Sequence, residues 1–241
     1  MTLTVVLTRE PPRNDDVGHA LKGFCRVLEV PLTLTNYFDD ALVATSLAAL
    51  PFAHQFATVI VTSARAARYL ALALGVAGSD AAVVTIGPAT TAAVRDALES
   101  ASSVPVVQAP AATADALGSS LTRGPVLALG AASPRPELRD VVVARGLVFS
   151  AVACYETVPV ALTGFTSEEL RVADVLVVAA PSAWRVARNE IRRGTTVVAI
   201  GATTAAEVLR DHELVTTAED RDLVATVRNV LERLGQIDRR T

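Results

Sequence analysis

The stretch Ile86-Gly87-Pro88-Ala89-Thr90-Thr91-Ala92-Ala93-Val94 returns 114 residues later as Ile200-Gly201-Ala202-Thr203-Thr204-Ala205-Ala206-Glu207-Val208. Each copy closes an apolar run, turns at a glycine and continues with small and hydroxyl residues, the pattern of a strand passing into a helix. Two fainter echoes keep the same order. Val59 to Ala66 pairs with Leu176 to Ala183, and Val5-Val6-Leu7 pairs with Val126-Leu127-Ala128. Any α/β protein repeats strand-glycine-helix junctions, but agreement of three blocks in order and spacing points to an internal duplication.

Around these blocks, apolar runs at 4–8, 58–62, 82–86, 125–129, 174–178 and 196–200 alternate with segments of helical period, which predicts parallel βαβ units. Most of the runs lack a period of two, as expected of strands covered on both faces. A further strand is expected from Leu147 to Ala153. The composition agrees: 51% hydrophobic residues with only 4% aromatics means a core of Val, Leu, Ile and Ala. At 241 residues two lobes fit a prior of about 150 residues per domain.

A net charge of -3 gives no global pull toward nucleic acid or anionic membranes, so neither is an expected partner. No apolar run approaches the roughly 18 residues of a membrane span. The first residues, Met1 to Arg9, carry no basic leader and do not read as a signal peptide, which predicts a cytoplasmic protein. Cys25 and Cys154 stand alone, and His19, His54 and His212 are scattered, so no structural metal or His-based triad is expected. The chain also lacks GxGxxG after its first strand, GxxxxGK[ST] and GxSxG.

In a parallel sheet ligands collect beyond the carboxyl ends of the strands, which is where the repeated blocks lie. Gly87 and Gly201 permit a sharp turn, Pro88 suits a first helical position, and Thr90, Thr203 and Thr204 place hydroxyls in the first turn. Unpaired amides and the helix dipole there favour an anion such as a carboxylate or phosphate. Arg9, Arg65 and Arg135 occupy strand-to-helix junctions and could each add a charge-assisted bond. Each arginine reads equally as a solvated surface side chain, and each hydroxyl as an ordinary helix cap.

Taken in order, Leu7-Thr8-Arg9-Glu10-Pro11, Val61-Thr62-Ser63-Ala64-Arg65-Ala66, Gly87-Pro88-Ala89-Thr90, Arg135-Pro136-Glu137-Leu138, Ala153-Cys154-Tyr155-Glu156-Thr157, Pro181-Ser182-Ala183 and Gly201-Ala202-Thr203-Thr204-Ala205 make the chain resemble the uroporphyrinogen-III synthases. The resemblance implies an α/β fold of two similar parallel-sheet lobes, flavodoxin-like or Rossmann-like, joined by a two-stranded linker with the site in the cleft. Residues 1–34 plus 159–241 would form one lobe and 37–153 the other, with linkers at 35–36 and 154–158. Duplication alone would instead suggest a split near residue 123.

The resemblance further implies a cyclising hydro-lyase of tetrapyrrole and heme biosynthesis. It would close hydroxymethylbilane to uroporphyrinogen III with loss of water and inversion of ring D through a spiro intermediate, with no cofactor. Tyr155 and Thr203 match positions proposed to assist catalysis. Arg9, Thr62, Ser63, Arg65, Gly87, Pro88, Thr90, Gly130, Arg135, Pro181, Ser182, Gly201 and Thr204 are the implied substrate-binding set. Tyr155 reads equally as a packing residue at a lobe junction. A monomer making transient contact with neighbouring pathway enzymes is expected. The residues depart from the family pattern at Ala179-Ala180, where hydroxyls are usual, at Ala64-Arg65-Ala66, and at Ala128-Leu129-Gly130-Ala131-Ala132, where a basic residue often stands beside the glycine. These departures leave open a non-catalytic relative that binds a tetrapyrrole or other polyanion as a regulatory partner, or a same-fold enzyme acting on a different precursor.

Overall fold

The computed structural model describes residues 2–98, 103–111, 113–134, 136–219 and 222–238, and each apolar run above falls on a strand. The chain opens with β1 (Thr4–Leu7), α1 (Asp15–Leu21), β2 (Arg26–Glu29) and β3 (Thr33–Tyr37). It continues with α2 (Asp40–Ala48), β4 (Phe56–Val61), a 3₁₀ turn (Ala64–Tyr69), α3 (Leu70–Gly75), β5 (Ala77–Thr85), α4 (Pro88–Leu98) and β6 (Val106–Gln108). Then come α5 (Ala114–Ser119), β7 (Val126–Ala131), α6 (Pro136–Ala144) and β8 (Phe149–Pro159). The last part holds α7 (Gly164–Arg171), β9 (Val175–Val178), α8 (Pro181–Ala187), β10 (Thr196–Ile200), α9 (Ala202–Val208), β11 (Val215–Ala218) and α10 (Leu223–Asp238).

Contacts divide the chain into a first unit, Met1–Thr35 with Val158–Thr241, and a second, Asn36–Thr157. The first holds a five-stranded sheet in the order β11-β10-β9-β1-β2, with parallel neighbours throughout. The second holds β6-β5-β4-β7-β8, also parallel, with β3 added beyond β8. Hydrogen bonds from Phe38 N to Cys154 O and from Val160 N to Leu32 O, each 3.0 Å, make the β3–β8 pair antiparallel.

The two orders are the same order. The sequence echoes pair β4 with β9, β5 with β10 and β7 with β1, and the sheets place these pairs at matching positions, which leaves β6 opposite β11 and β8 opposite β2. The repeat is permuted in the chain, because β1 and β2 precede β9–β11 whereas their counterparts β7 and β8 follow β4–β6. The division near residue 123 suggested by duplication alone is therefore not the observed one.

Each sheet is covered on both faces. In the first unit Val6, Leu176, Val178, Val197 and Ala199 pack under α7, α8 and α9, while Val5, Leu7, Val175, Val177 and Val198 pack under α1 and α10. In the second, Val59, Val61, Leu127 and Leu129 face α2, the 3₁₀ turn, α3 and α4, while Ile60, Ala128 and Val126 face α5 and α6. Adjacent residues pointing into opposite apolar layers is why these strands read as continuous hydrophobic runs.

Candidate functional site

Within a parallel sheet the carboxyl ends of the strands share one edge, and the crevice between strands whose helices leave to opposite faces is the usual ligand position. In the second unit that crevice lies between β4, which leads into the 3₁₀ turn on one face, and β7, which leads into α6 on the other. The Thr62 hydroxyl bridges it, donating to Leu129 O at 3.2 Å. Gly130 is glycine for want of room, since a Cβ there would lie 2.9 Å from Thr62 Oγ1. Ser63 caps the 3₁₀ turn by accepting from Arg65 N at 3.3 Å, and this fixes where Arg65 departs from the backbone. The Arg65 guanidinium then lies 5.7 Å from the centre of the Tyr155 ring, with no carboxylate among the described residues to neutralise it.

Tyr155 reaches this edge through a break in β8. Gly130 pairs with Ala153 but Ala131 pairs with Tyr155, so Cys154 is an extra residue in the ladder and Val152, Cys154 and Tyr155 are all buried against one core. Burial pushes the Cys154 thiol up to about 11, partly opposed by the Gly130 backbone amide beside it. Tyr155 is only 5% exposed, yet its phenol bonds to no described residue. Tyr69, equally buried, shows the ordinary solution by donating to Phe38 O at 2.5 Å. Burial also raises the Tyr69 phenol above its usual value.

Next along the edge, Pro88 opens α4 as predicted, and Gly87 O accepts from Thr91 N at 2.9 Å. Gly87 has no positive φ; among the described glycines only Gly23, Gly146 and Gly201 do. The two junctions of the repeat thus turn differently. Thr91 does the local structural work, bonding Thr85 Oγ1 at 2.6 Å, Gln108 Oε1 at 2.9 Å and Gly87 O at 3.0 Å. Thr90 is buried and its hydroxyl bonds to no described residue. Arg135 lies outside the described residues.

The first unit has its own crevice, between β1 and β9, also bridged by a threonine: Thr8 Oγ1 donates to Val177 O at 2.7 Å. Arg9 follows in a turn held by Asn14, whose amide donates to Arg9 O at 2.6 Å. Glu10 accepts from the Thr35 hydroxyl at 2.8 Å and from Thr35 N at 3.3 Å, tying that turn to β3. On the neighbouring strands, α8 starts at Pro181-Ser182 and α9 follows Gly201, and neither start carries a side-chain cap. Gly201 sits at φ 82, where a β-carbon is strained. Thr204, the repeat counterpart of Thr90, is buried with a hydroxyl that bonds no described residue, whereas Thr203 is exposed.

A model described as uroporphyrinogen-III synthase HemD matches residues 21–224, most of the chain. The chain belongs to the uroporphyrinogen-III synthase family. Its fold is similar to that of the uroporphyrinogen III synthase of Thermus thermophilus in a mutant form, with a TM-score of 0.63 at 15% identity over 97% of this chain and 99% of that one. The Helicobacter pylori uroporphyrinogen-III synthetase gives 0.60 at 17% identity over 97% and 98%. No curated protein matches in sequence. At such identities the solved structures show the fold alone, and membership of the synthase family rests on the family model.

Of the groups at these strand ends, sequence reading names most. It misses Thr8, although the residue stands inside the quoted Leu7-Thr8-Arg9 block, and it misses Tyr37 and Arg68, whose neighbours come from distant segments. Tyr37 lies 6.4 Å from Tyr155, ring centre to ring centre, and Arg68 lies over Tyr37 at 5.1 Å. A separate groove of about 640 Å³ runs between α1 and β2, lined by Asp15, Asp16, His19, Lys22, Cys25 and Glu29 among others, and none of the predicted residues borders it. Among the described residues no His, Cys, Asp and Glu group could hold a metal, and no helix is long and apolar enough to cross a membrane.

Proposed function

We propose that this chain is a uroporphyrinogen-III synthase, a cyclising hydro-lyase that works in the cytoplasm without a cofactor and closes hydroxymethylbilane to uroporphyrinogen III. The observation that carries the reading is the family match across residues 21–224. The chemistry asks little of the protein. An electron-rich pyrrole expels the substrate hydroxyl as water once that oxygen receives a proton or a strong hydrogen bond, leaving an azafulvenium. The substituted carbon of ring D attacks it to give the spiro intermediate, which opens and recloses at the other side of the ring with loss of a proton. Closure without guidance gives the uninverted isomer, so the catalyst's task is geometric.

Tyr155 is the group proposed to face the departing hydroxyl: a phenol supplies a hydrogen bond without bringing a charge, and this one has no bond within the described protein. Thr203, exposed at the start of α9, is the second such hydroxyl. The substrate's carboxylates would be held by the uncapped amides of α8 and α9, by the Thr90 and Thr204 hydroxyls, and by Arg9 and Arg65. Freshly generated hydroxymethylbilane supplied to the protein, followed by oxidation and separation of type I and type III uroporphyrins, tests the reading. Type III above background is expected, and type I alone would overturn it.

A further inference from the structure

We infer that Tyr37 and Arg68 are positioning residues that set the angle of the Tyr155 ring. Because the β8 bulge turns Tyr155 into the core without giving its phenol a partner among the described residues, the ring's direction depends on what touches its faces. Arg65 lies against it at 5.7 Å and Tyr37, from the adjacent strand β3, at 6.4 Å with a tilt of 54°. Tyr37 is 45% exposed, so core packing does not explain its place. Arg68 explains it: the guanidinium lies 5.1 Å from the Tyr37 ring and 5.2 Å from the Tyr69 ring, and Asp40 holds it at 3.7 Å. Tyr69 is anchored through its hydroxyl to Phe38 O, next to Tyr37 in the chain. A fixed, buried ring is thereby connected through a cation to a half-exposed ring, and through that to the phenol.

The catalytic consequence rests on the reading of Tyr155 given above, whereas the contact itself does not. The chain has three tyrosines, so protein labelled with 3-fluorotyrosine gives three fluorine resonances, assignable with single Tyr→Phe variants. Tyr37→Leu and Arg68→Met should each displace or broaden the Tyr155 resonance, and Tyr37→Phe, which keeps the ring, should restore it. In turnover the first two variants should lose about tenfold in kcat with KM held within about twofold and should release a larger type I share, while Tyr37→Phe behaves as the parent. A Tyr155 resonance indifferent to both substitutions overturns the inference, and so does an unchanged kcat and isomer ratio. If the parent protein makes no type III product, the functional reading fails while the resonances still decide whether the array holds the ring. Arg68 is exposed on the surface, so its replacement tests the array even if Tyr37→Leu does not fold.

Discussion

Gly130→Ala probes the crevice of the second unit most sharply, because one atom limits it. The new Cβ would stand 2.9 Å from Thr62 Oγ1, a distance real Cβ atoms do not tolerate, so the hydroxyl must rotate away from Leu129 O. Losing that bond costs about 1 kcal/mol, and an off-rotamer threonine about 0.5–1.5 kcal/mol more. Against this, Gly→Ala at a position outside the left-handed region stabilises by about 0.4–1 kcal/mol through the unfolded chain. The single variant should therefore lose about 1 kcal/mol. In a Thr62→Ala background the clash is gone and Gly130→Ala becomes neutral or slightly stabilising, so the cycle should show a coupling of about 1–2 kcal/mol. Thr62→Val separates the two causes: its methyl keeps the clash but not the bond, and Gly130→Ala should remain costly there. Urea unfolding with m-values compared across the set measures all of these. Additivity within about 0.3 kcal/mol in the Thr62→Ala cycle would refute the argument that the hydroxyl dictates the glycine.

The two buried tyrosines should part company on losing their oxygens. Tyr69→Phe gives up its bond to Phe38 O and should cost about 1–2 kcal/mol in urea unfolding, whereas Tyr155→Phe should change stability by less than about 0.5 kcal/mol yet slow type III formation at least tenfold. Cys154 has a raised thiol, about 11 against an ordinary 9.0, so below pH 9 the thiol is neutral in both states and adds no pH dependence. Between pH 9 and 11 the unfolded thiol ionises before the folded one, and the parent should lose on the order of 2 kcal/mol relative to Cys154→Ala across that window; parallel pH profiles would contradict it. Asp211 accepts from the indole of Trp184, the sole tryptophan, at 2.9 Å, so Asp211→Ala should cost about 1–2 kcal/mol and alter the tryptophan emission, while Asp211→Asn should keep most of both.

What was legible in the sequence is what has a local cause. The apolar runs, the Pro88 helix start and the repeated glycine junctions all depend on neighbours in the chain, and they stand where the residues predicted. Strands β2, β3, β6 and β11 were not legible, because they lie at sheet edges and their residues are mostly exposed or half-buried. The direction of Tyr155 was also hidden. It follows from a bulge opposite Gly130, and a single extra residue in a ladder leaves no mark on hydrophobic periodicity. The repeat also hid a difference between its copies: Gly201 takes a left-handed turn and Gly87 does not. Tyr37 and Arg68 carry no pattern at all, since their role depends on strand β3 lying beside β8.

The permuted repeat also accounts for residues that look like losses. Position for position, β4 corresponds to β9 and β7 to β1, so Thr62 after β4 answers to Ala179 after β9, and Leu129 in β7 answers to Thr8 after β1. In the second unit the hydroxyl comes from the β4 side and crosses to Leu129 O; in the first it comes from the β1 side and crosses to Val177 O. A crevice only one interstrand spacing wide holds one such hydroxyl, and in the second unit Gly130, one residue beyond the accepting Leu129, leaves it room. Ala179 thus lacks the hydroxyl of its counterpart Thr62 in a unit whose bridging hydroxyl comes from Thr8. The same sheet order has been closed twice at its switch point, from opposite sides, with a threonine bridging to a carbonyl each time.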